Sequence, residues 1–365
     1  MATVYDVARQ AGVSTATVSR VVRGSDLVHP QTRQRVIDVI EELGFVPNGS
    51  AQGLSRRRKD IIGLVALERG ADEIDIERNS LLFVDEIVHA AEAVLRGSEF
   101  SLLLSFGRRG EPFGRRIRSL SGKVDGLLMA EDVLPADQLR VLTRQVPVVL
   151  IAGPASVAHE AGLDVIGADN DGGIRAALAH LTGTHRCSRL CFIGGPPDSP
   201  DARQRLAAFA ATMAASPGCV ADAPVEGDFS EASGAAAARV LLARHSLPEA
   251  VVCANDQMAI GLMREFRRAG VEVPGRVAVT GFDDIYPSRL TDPPLTTVSQ
   301  PLRELGTRAA QRLLARIEAR GQSAAPAPER GPAPRAGGSL SPVVEVLPTH
   351  LVVRASCGCA TDADR

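Results

Sequence analysis

The sequence predicts two kinds of architecture in one chain: an all-α helix-turn-helix head over residues 1–48, then an α/β body of two similar lobes built on parallel sheets. Three observations carry that prediction. Short apolar stripes at helical spacing, closed by Gly12 and Gly44, fill the head. From Ile61 the chain alternates short apolar runs with helical stretches, and the series occurs twice. Charge follows the same division: residues 1–59 hold nine Lys/Arg against five Asp/Glu, and the rest hold 32 against 38. A small basic head followed by an acidic body suits a head that meets nucleic acid.

Composition narrows the function classes. A chain of 365 residues with 45% hydrophobic content can bury a substantial core. No stretch approaches the roughly 18 uninterrupted apolar residues of a membrane span, and the first residues do not read as a secretory signal, so a cytoplasmic, nucleoid-associated location without membrane contact is expected. The six cysteines are scattered apart from Cys357-Gly-Cys359. They indicate neither a disulfide framework nor paired CxxC zinc ligation, and they read as reduced thiols, with no metal or cofactor called for. Trp is absent and Tyr occurs twice, which excludes base-stacking platforms as the main nucleic-acid contact.

In the head, Thr3 caps a first helix with Asp6 three residues on, Val7, Ala8 and Ala11 give its apolar stripe, and Gly12 stops it. Ser14 caps a second helix whose Val18, Val21 and Val22 turn inward, leaving Thr15, Ala16, Ser19, Arg20 and Arg23 outward. Pro30 opens a third helix with Val36, Ile37, Ile40 and Leu43 as its stripe, and His29 stands before it as a weak cap. Small outward residues permit close approach to the major groove, and Arg20 can present two parallel N–H donors to guanine O6 and N7. Spacing alone leaves a three-helix adaptor without DNA as the alternative.

The runs TVYDVARQAGVSTATVSRVV and TRQRVIDVIEELGFVPN resemble, over Thr3 to Asn48, the DNA-binding head of the LacI/GalR (lactose-repressor) family of transcriptional regulators. The resemblance places base contacts at Thr15, Ala16 and Arg20, with Tyr5, Ser14 and Thr17 completing the contact set of the head. In residues 49–60, GSAQGLSRRRKD, it implies a hinge helix that forms on operator DNA, with Leu54 as the minor-groove wedge; the basic run from Arg56 to Lys59, either a solvated linker or a phosphate contact, stands where it can meet the DNA backbone. Gly49 and Gly53 each weaken such a helix by about 1 kcal/mol relative to Ala, so its folding depends on DNA.

In the body, IIGLVAL, FSLLLSF, DGLLMA and PVVLI form one strand series, and DVIGAD, RLCFIGG, EAVVCAN and VAVTGFDD a second, with helices near 172–182, 201–215, 230–243 and 256–269. The family's two-lobed core is periplasmic-binding-protein-like (type I), and the resemblance extends over 61–320 and 343–359. Residues 61–359 then form the effector-binding and dimerisation domain, 322–341 (rich in Pro, Ala and Gly) a disordered insertion, and 360–365 a tail.

Ligands of open parallel sheets bind beyond the carboxyl ends of strands. Asn255, Asp283 and Arg205 lie there, although Asp and Asn after strands also cap helices. The segments DARQRLAAF, EGDFSEASG, ANDQMAIG, GFDD and LTTVSQP match the family's effector-site motifs, which implies that Arg205, Phe229, Asn255, Asp283 and Gln300 line the cleft. Phe229 would be the aromatic wall for a sugar's C–H face or a flat base. Ala130 and Ala152 end two first-lobe strands, so that lobe offers fewer polar contacts.

The expected function is a sequence-specific repressor, a homodimer on pseudo-palindromic double-stranded operator DNA, controlled by a small polar effector, a sugar or sugar derivative. A nucleobase or nucleoside effector is the alternative, and a solute-binding transport protein a remote one, since it has no use for the head. GGPPDSP is neither GxGxxG nor a Walker loop, and neither a nucleophile elbow nor HExxH is present, so no enzymatic activity is expected.

Overall fold

The computed structural model describes residues 2–22, 25, 27–45, 58–68, 82–108, 113–130, 134–323 and 341–360. The hinge residues Leu54 and Arg56, and residues 324–340 of the Pro-rich insertion, lie outside them. The chain divides into two compact units, Met1–Asp60 and Ile61–Arg365.

The first unit holds α1 (Val4–Ala11), α2 (Thr15–Val22) and α3 (Pro30–Leu43). Thr3 and Asp6 form a reciprocal capping box on α1, and Gly12 ends that helix with φ 64°. Ser14 Oγ accepts from Thr17 N at 3.1 Å, so α2 is capped as the sequence predicts. Val7, Ala8, Ala11, Val18, Val21, Val28, Val36 and Val39 make the core. Two expectations need correction. The buried residues of α3 are Val36 and Val39, whereas Ile37, Ile40 and Leu43 are only partly covered at the margin of the core. With two short helices to pack against, α3 buries a narrow seam and leaves the flanks of its apolar stripe half-open. His29 occupies the cap position of α3 but makes no side-chain cap bond. Pro30 at the first helical position sets the entry angle there without needing one.

The second unit comprises two lobes. Lobe one is a six-stranded sheet in the order β11-β5-β4-β3-β1-β2, all neighbours parallel. Its strands are β1 (Ile61–Glu68), β2 (Ser101–Arg108), β3 (Gly126–Ala130), β4 (Val148–Ile151), β5 (Asp164–Ala168) and β11 (Val344–Leu347), so the run DVIGAD, expected to open the second series, instead pairs with β4 in the first. The strands β3 and β4 are buried throughout, which is why they read as unbroken apolar runs. Helices α4 (Leu82–Leu95) and α12 (Leu302–Ser323) cover one face, and α5 (Phe113–Ser121), α6 (Ala136–Gln145) and α7 (Ala155–Ala161) the other.

Lobe two repeats the plan in the order β12-β10-β9-β8-β6-β7, with only β12 antiparallel. Its strands are β6 (Arg189–Ile193), β7 (Val220–Ala221), β8 (Ala250–Cys253), β9 (Ala278–Asp283), β10 (Thr296–Ser299) and β12 (His350–Val352). Its helices are α8 (Asn170–Ala179), α9 (Pro200–Ala214), α10 (Glu231–Leu242) and α11 (Asp256–Arg268), each within a few residues of its predicted span. The chain passes between the lobes three times, after β5, after β10 and between β11 and β12. The first and third passages are tied: Asp169 N donates to Leu347 O at 2.8 Å, and Thr349 Oγ1 donates to Asp169 O at 2.9 Å. In each lobe the strand order reverses between the first and third strands, the switch point where such sheets open a crevice.

Candidate functional site

Two sites follow from the sequence, one in each unit. In the head, the start of α2 carries Thr15, Ala16 and Thr17, and its last turn carries Arg20. Val18 and Val21 point into the core, which directs Ala16 and Arg20 to solvent. The Arg20 guanidinium has no partner among the described residues and is free to donate outward. Tyr5 is 74% exposed on α1, a large ring left out of a core that would otherwise take it. Ser14 and Thr17 bond each other through their hydroxyls at 2.9 Å, fixing the entry of α2. Arg58 and Lys59 are exposed.

In lobe two, the ends of the strands assemble a buried polar cluster around Arg205. Ser199 caps α9 and Pro200 starts it, which sets the helix so that Arg205 turns inward with 2% of its surface exposed. Its Nε donates to Asn170 Oδ1 at 2.8 Å and its Nη1 to the Ala254 carbonyl at 2.6 Å. Asp283 Oδ1 and Asp201 Oδ2 each lie 3.5 Å from the guanidinium. The guanidinium carbon also sits 3.7 Å from the centre of the Phe282 ring, so its flat face is covered. Every side of this arginine is engaged, and it is a fixed post.

Asp283 ends β9 with φ 116°, a conformation that a non-glycine residue adopts only when its surroundings impose it. The neighbouring loop supplies that constraint. The buried Asp256 accepts from Thr297 Oγ1 at 2.5 Å and from Ile285 N at 3.0 Å, and Asp284 pairs with Arg354 and Arg289. Gln300 Nε2 donates to Asp283 Oδ1 at 2.5 Å, while Gln300 Oε1 is buried without a partner. Burial pushes the Asp283 carboxyl up to about 6, against the opposing pull of Arg205 and Gln300. An unpaired acceptor beside a carboxylate near its titration point is an arrangement a hydroxyl-bearing ligand would complete.

Asn255 and Phe229 form a linked pair beside this cluster. Asn255 caps α11 by accepting from Met258 N at 3.0 Å, and its Nδ2 donates to Phe229 O at 2.9 Å. That bond holds Phe229 at φ 71°, with its ring laid over Gly195, where any Cβ would collide with it. Asn255 thus acts as the cap that the sequence offered as its plainer reading, and it also orients the aromatic residue. Because Ala254, whose carbonyl holds Arg205, precedes Asn255, all five predicted residues belong to one connected set.

Sequence reasoning missed Asn170 and Asp201, although Asn170 Nδ2 donates to Asp201 Oδ1 at 3.0 Å and to Gln204 Oε1 at 2.8 Å, bracing Arg205 from below. Their signal was the same as that of Asn255: a polar residue opening a helix beyond a strand. Ala130 and Ala152 end their first-lobe strands as predicted. No helix among the described residues is long and apolar enough to cross a membrane.

Comparison with known proteins matches each of the two units to a known domain. Residues 3–48 match the lacI family of bacterial regulatory proteins, and residues 178–357 match a periplasmic binding protein-like domain. The HTH-type transcriptional regulator CelR of Thermobifida fusca is 36% identical over 363 residues, covering 96% of each chain. Among solved structures, a lac repressor dimer bound to operator and the anti-inducer ONPF has a TM-score of 0.80 at 28% identity, covering 98% of this chain and 99% of that one. A CelR–cellobiose complex has a TM-score of 0.67 at 33% identity, covering 98% and 100%. A helix-turn-helix head, a two-lobed type I body and relatedness along nearly its whole length place this chain in the LacI family of DNA-binding transcriptional regulators.

Proposed function

We propose that the protein works as a homodimeric cytoplasmic repressor, that its two heads read a pseudo-palindromic operator, and that a carbohydrate bound at the Arg205–Asp283–Gln300 cluster controls operator affinity. The single observation that carries the effector reading is the buried, unpartnered Gln300 Oε1 beside Asp283 and the fixed Arg205. Vicinal hydroxyls of a sugar can donate to Gln300 Oε1 and Asp283, and the ring of Phe229 offers an apolar face alongside. A regulator of the same family is known in complex with cellobiose, which supports a saccharide as the first ligand to test. A regulator without enzymatic activity is the reading that the relatives support.

A single head contacts one half-site, so two are needed for a palindrome, and the lac repressor relative is a dimer on its operator. Thr15, Ala16 and Arg20 read base edges; Tyr5, Ser14 and Thr17 assist from the same face; Leu54 and Arg56 act in the hinge. Selection from a pseudo-palindromic DNA library, followed by calorimetry of the purified protein with cellobiose and other saccharides, tests both halves. On the selected operator, Arg20→Ala should cost about 1–3 kcal/mol and relax preference at one base pair of each half-site. Equal loss on operator and random DNA would remove Arg20 from base reading.

A further inference from the structure

The end of α8 and the C-terminal Cys-Gly-Cys turn bring four soft donors together in lobe two, away from the Arg205 cluster. The helix closes in a π turn (His180–Thr184), which sets His180 and His185 on the same side. Cys357 and Cys359 flank Gly358, whose φ of 105° bends the chain so that both sulfurs meet the two imidazoles. All four donor atoms lie within 4.8 Å of one another.

Four of the six donor–donor distances are close to those of a coordination shell. His180 Nε2 lies 3.2 Å from His185 Nε2, 3.3 Å from Cys357 Sγ and 3.7 Å from Cys359 Sγ, and Cys359 Sγ lies 3.4 Å from His185 Nε2. A tetrahedral zinc with bonds of about 2.0–2.1 Å to nitrogen and about 2.3 Å to sulfur has N···N edges of about 3.3 Å and N···S edges of about 3.5 Å. The two rings stand at 76° to each other, so they approach a common point from different directions rather than stacking. We propose that His180, His185, Cys357 and Cys359 form a Cys2His2 site for a tetrahedral d10 cation, zinc by its donor set, that ties the C-terminal turn to α8.

Charge supports that assignment. Two thiolates and two neutral imidazoles exactly offset a divalent cation, giving a neutral complex acceptable in a half-buried place. Binding converts two thiols and one Zn²⁺ into a dithiolate complex and two released protons, with no change of oxidation state. The sequence showed no such site because the histidines and the cysteines are about 175 residues apart and neither pair has CxxC spacing. The turn is also shaped to the ring beside it: a Cβ on Gly358 would lie 3.3 Å from Cε1 and Nδ1 of His185.

The test uses the full-length protein purified under reducing conditions without chelator. Elemental analysis should find about one zinc per chain, and the metal-free protein titrated with Co²⁺ should develop the visible bands of a tetrahedral site and a sulfur-to-cobalt charge-transfer band, saturating at one equivalent. Cys359→Ser and His185→Ala should each lose stoichiometric zinc, whereas Cys219→Ser should keep it. Unaltered protein that carries less than a tenth of an equivalent of zinc and gives no tetrahedral Co²⁺ spectrum overturns the proposal, and so does recovery of Cys357 and Cys359 as a disulfide in the reduced preparation. The cobalt titration decides the matter on the unaltered chain even if a variant folds poorly.

Discussion

The two lobes share a strand order but use a buried carboxylate in opposite ways. In lobe one, Asp164 opens β5 with no exposed side-chain surface and receives four bonds. Arg316 donates twice, at 2.5 and 2.6 Å, Arg312 Nε donates at 2.8 Å, and Val343 N donates at 2.8 Å. Burial alone would raise its carboxyl, but the Arg316, Val343 and Arg312 donors outweigh burial and hold it below the usual carboxylate range. In lobe two, Asp283 ends β9, receives Gln300 and a longer contact from Arg205 on one oxygen, and titrates near 6 because burial wins. A carboxylate whose acceptor oxygens are filled, at the amino end of a strand, acts as a staple. A carboxylate beside an unfilled acceptor, at the carboxyl end of a strand, is the proposed receptor.

The comparison breaks most visibly if the staple is cut. Asp164→Ala would leave Arg312 and Arg316 facing each other without their anion and would free β11 from β5 at Val343. The loss should be about 3 kcal/mol, at the lower end for a broken buried pair because Arg312 is 28% exposed. Urea unfolding measures it, and a change below about 1 kcal/mol would show that the four bonds do not act as a staple. The same substitution should leave effector affinity nearly intact.

Removing the receptor carboxylate should do the reverse. Asp283→Ala should weaken effector binding by about 1.5–3 kcal/mol, the worth of a hydrogen bond to a charged group, and abolish the effector response, while operator affinity stays close to that of the unaltered protein. Calorimetry with the cognate saccharide and an operator shift assay read the two quantities separately. An Asp283→Ala protein that responds normally to the effector would take this residue out of the site.

The contrast between these carboxylates shows what the sequence could and could not disclose. Asp283 and Asn255 stand at the carboxyl ends of apolar strands and Arg205 in the helix after one, which local pattern identifies, but only the resemblance to effector-site motifs distinguished them from helix caps. Asp164 sits in a similar strand, but its partners Arg312 and Arg316 lie 148 and 152 residues away, and no periodicity connects them. Asn170 and Asp201 carried the local signal of a residue opening a helix beyond a strand, but their bracing of Arg205 exists only once α8 and α9 pack side by side. In the head, helix spacing located α3 but could not say that Val39 would take the seam and leave Ile37 and Ile40 at its edge, because that depends on the tilt of α3 against α1 and α2. Strand β12 and strand β11, three and four residues long, carried no signal comparable to the longer apolar runs.

The finest test of the comparison is pH. A ligand whose hydroxyls donate to Asp283 prefers the ionised carboxylate, so binding lowers a carboxyl that stands near 6 in the free protein. Affinity should therefore be flat above about pH 7 and fall as pH drops through 6, by up to about tenfold per unit until the bound-state value is reached. Folding stability should respond to the same group with the opposite sign. Asp283 is raised in the folded protein relative to its ordinary 3.8, so the unfolded chain ionises first and the folded state loses stability between about pH 4 and 6. Asp164 is lowered, so its contribution is complete above the ordinary value and is lost only as pH falls below it. Asp283→Asn should accordingly remove the pH dependence of effector affinity between 5 and 7 while leaving the acid loss of stability below pH 4 in place. Calorimetric titrations at pH 5, 6 and 7 on both proteins measure it, and an unaltered protein whose affinity is constant across that range would mean that Asp283 does not meet the ligand as a carboxylate.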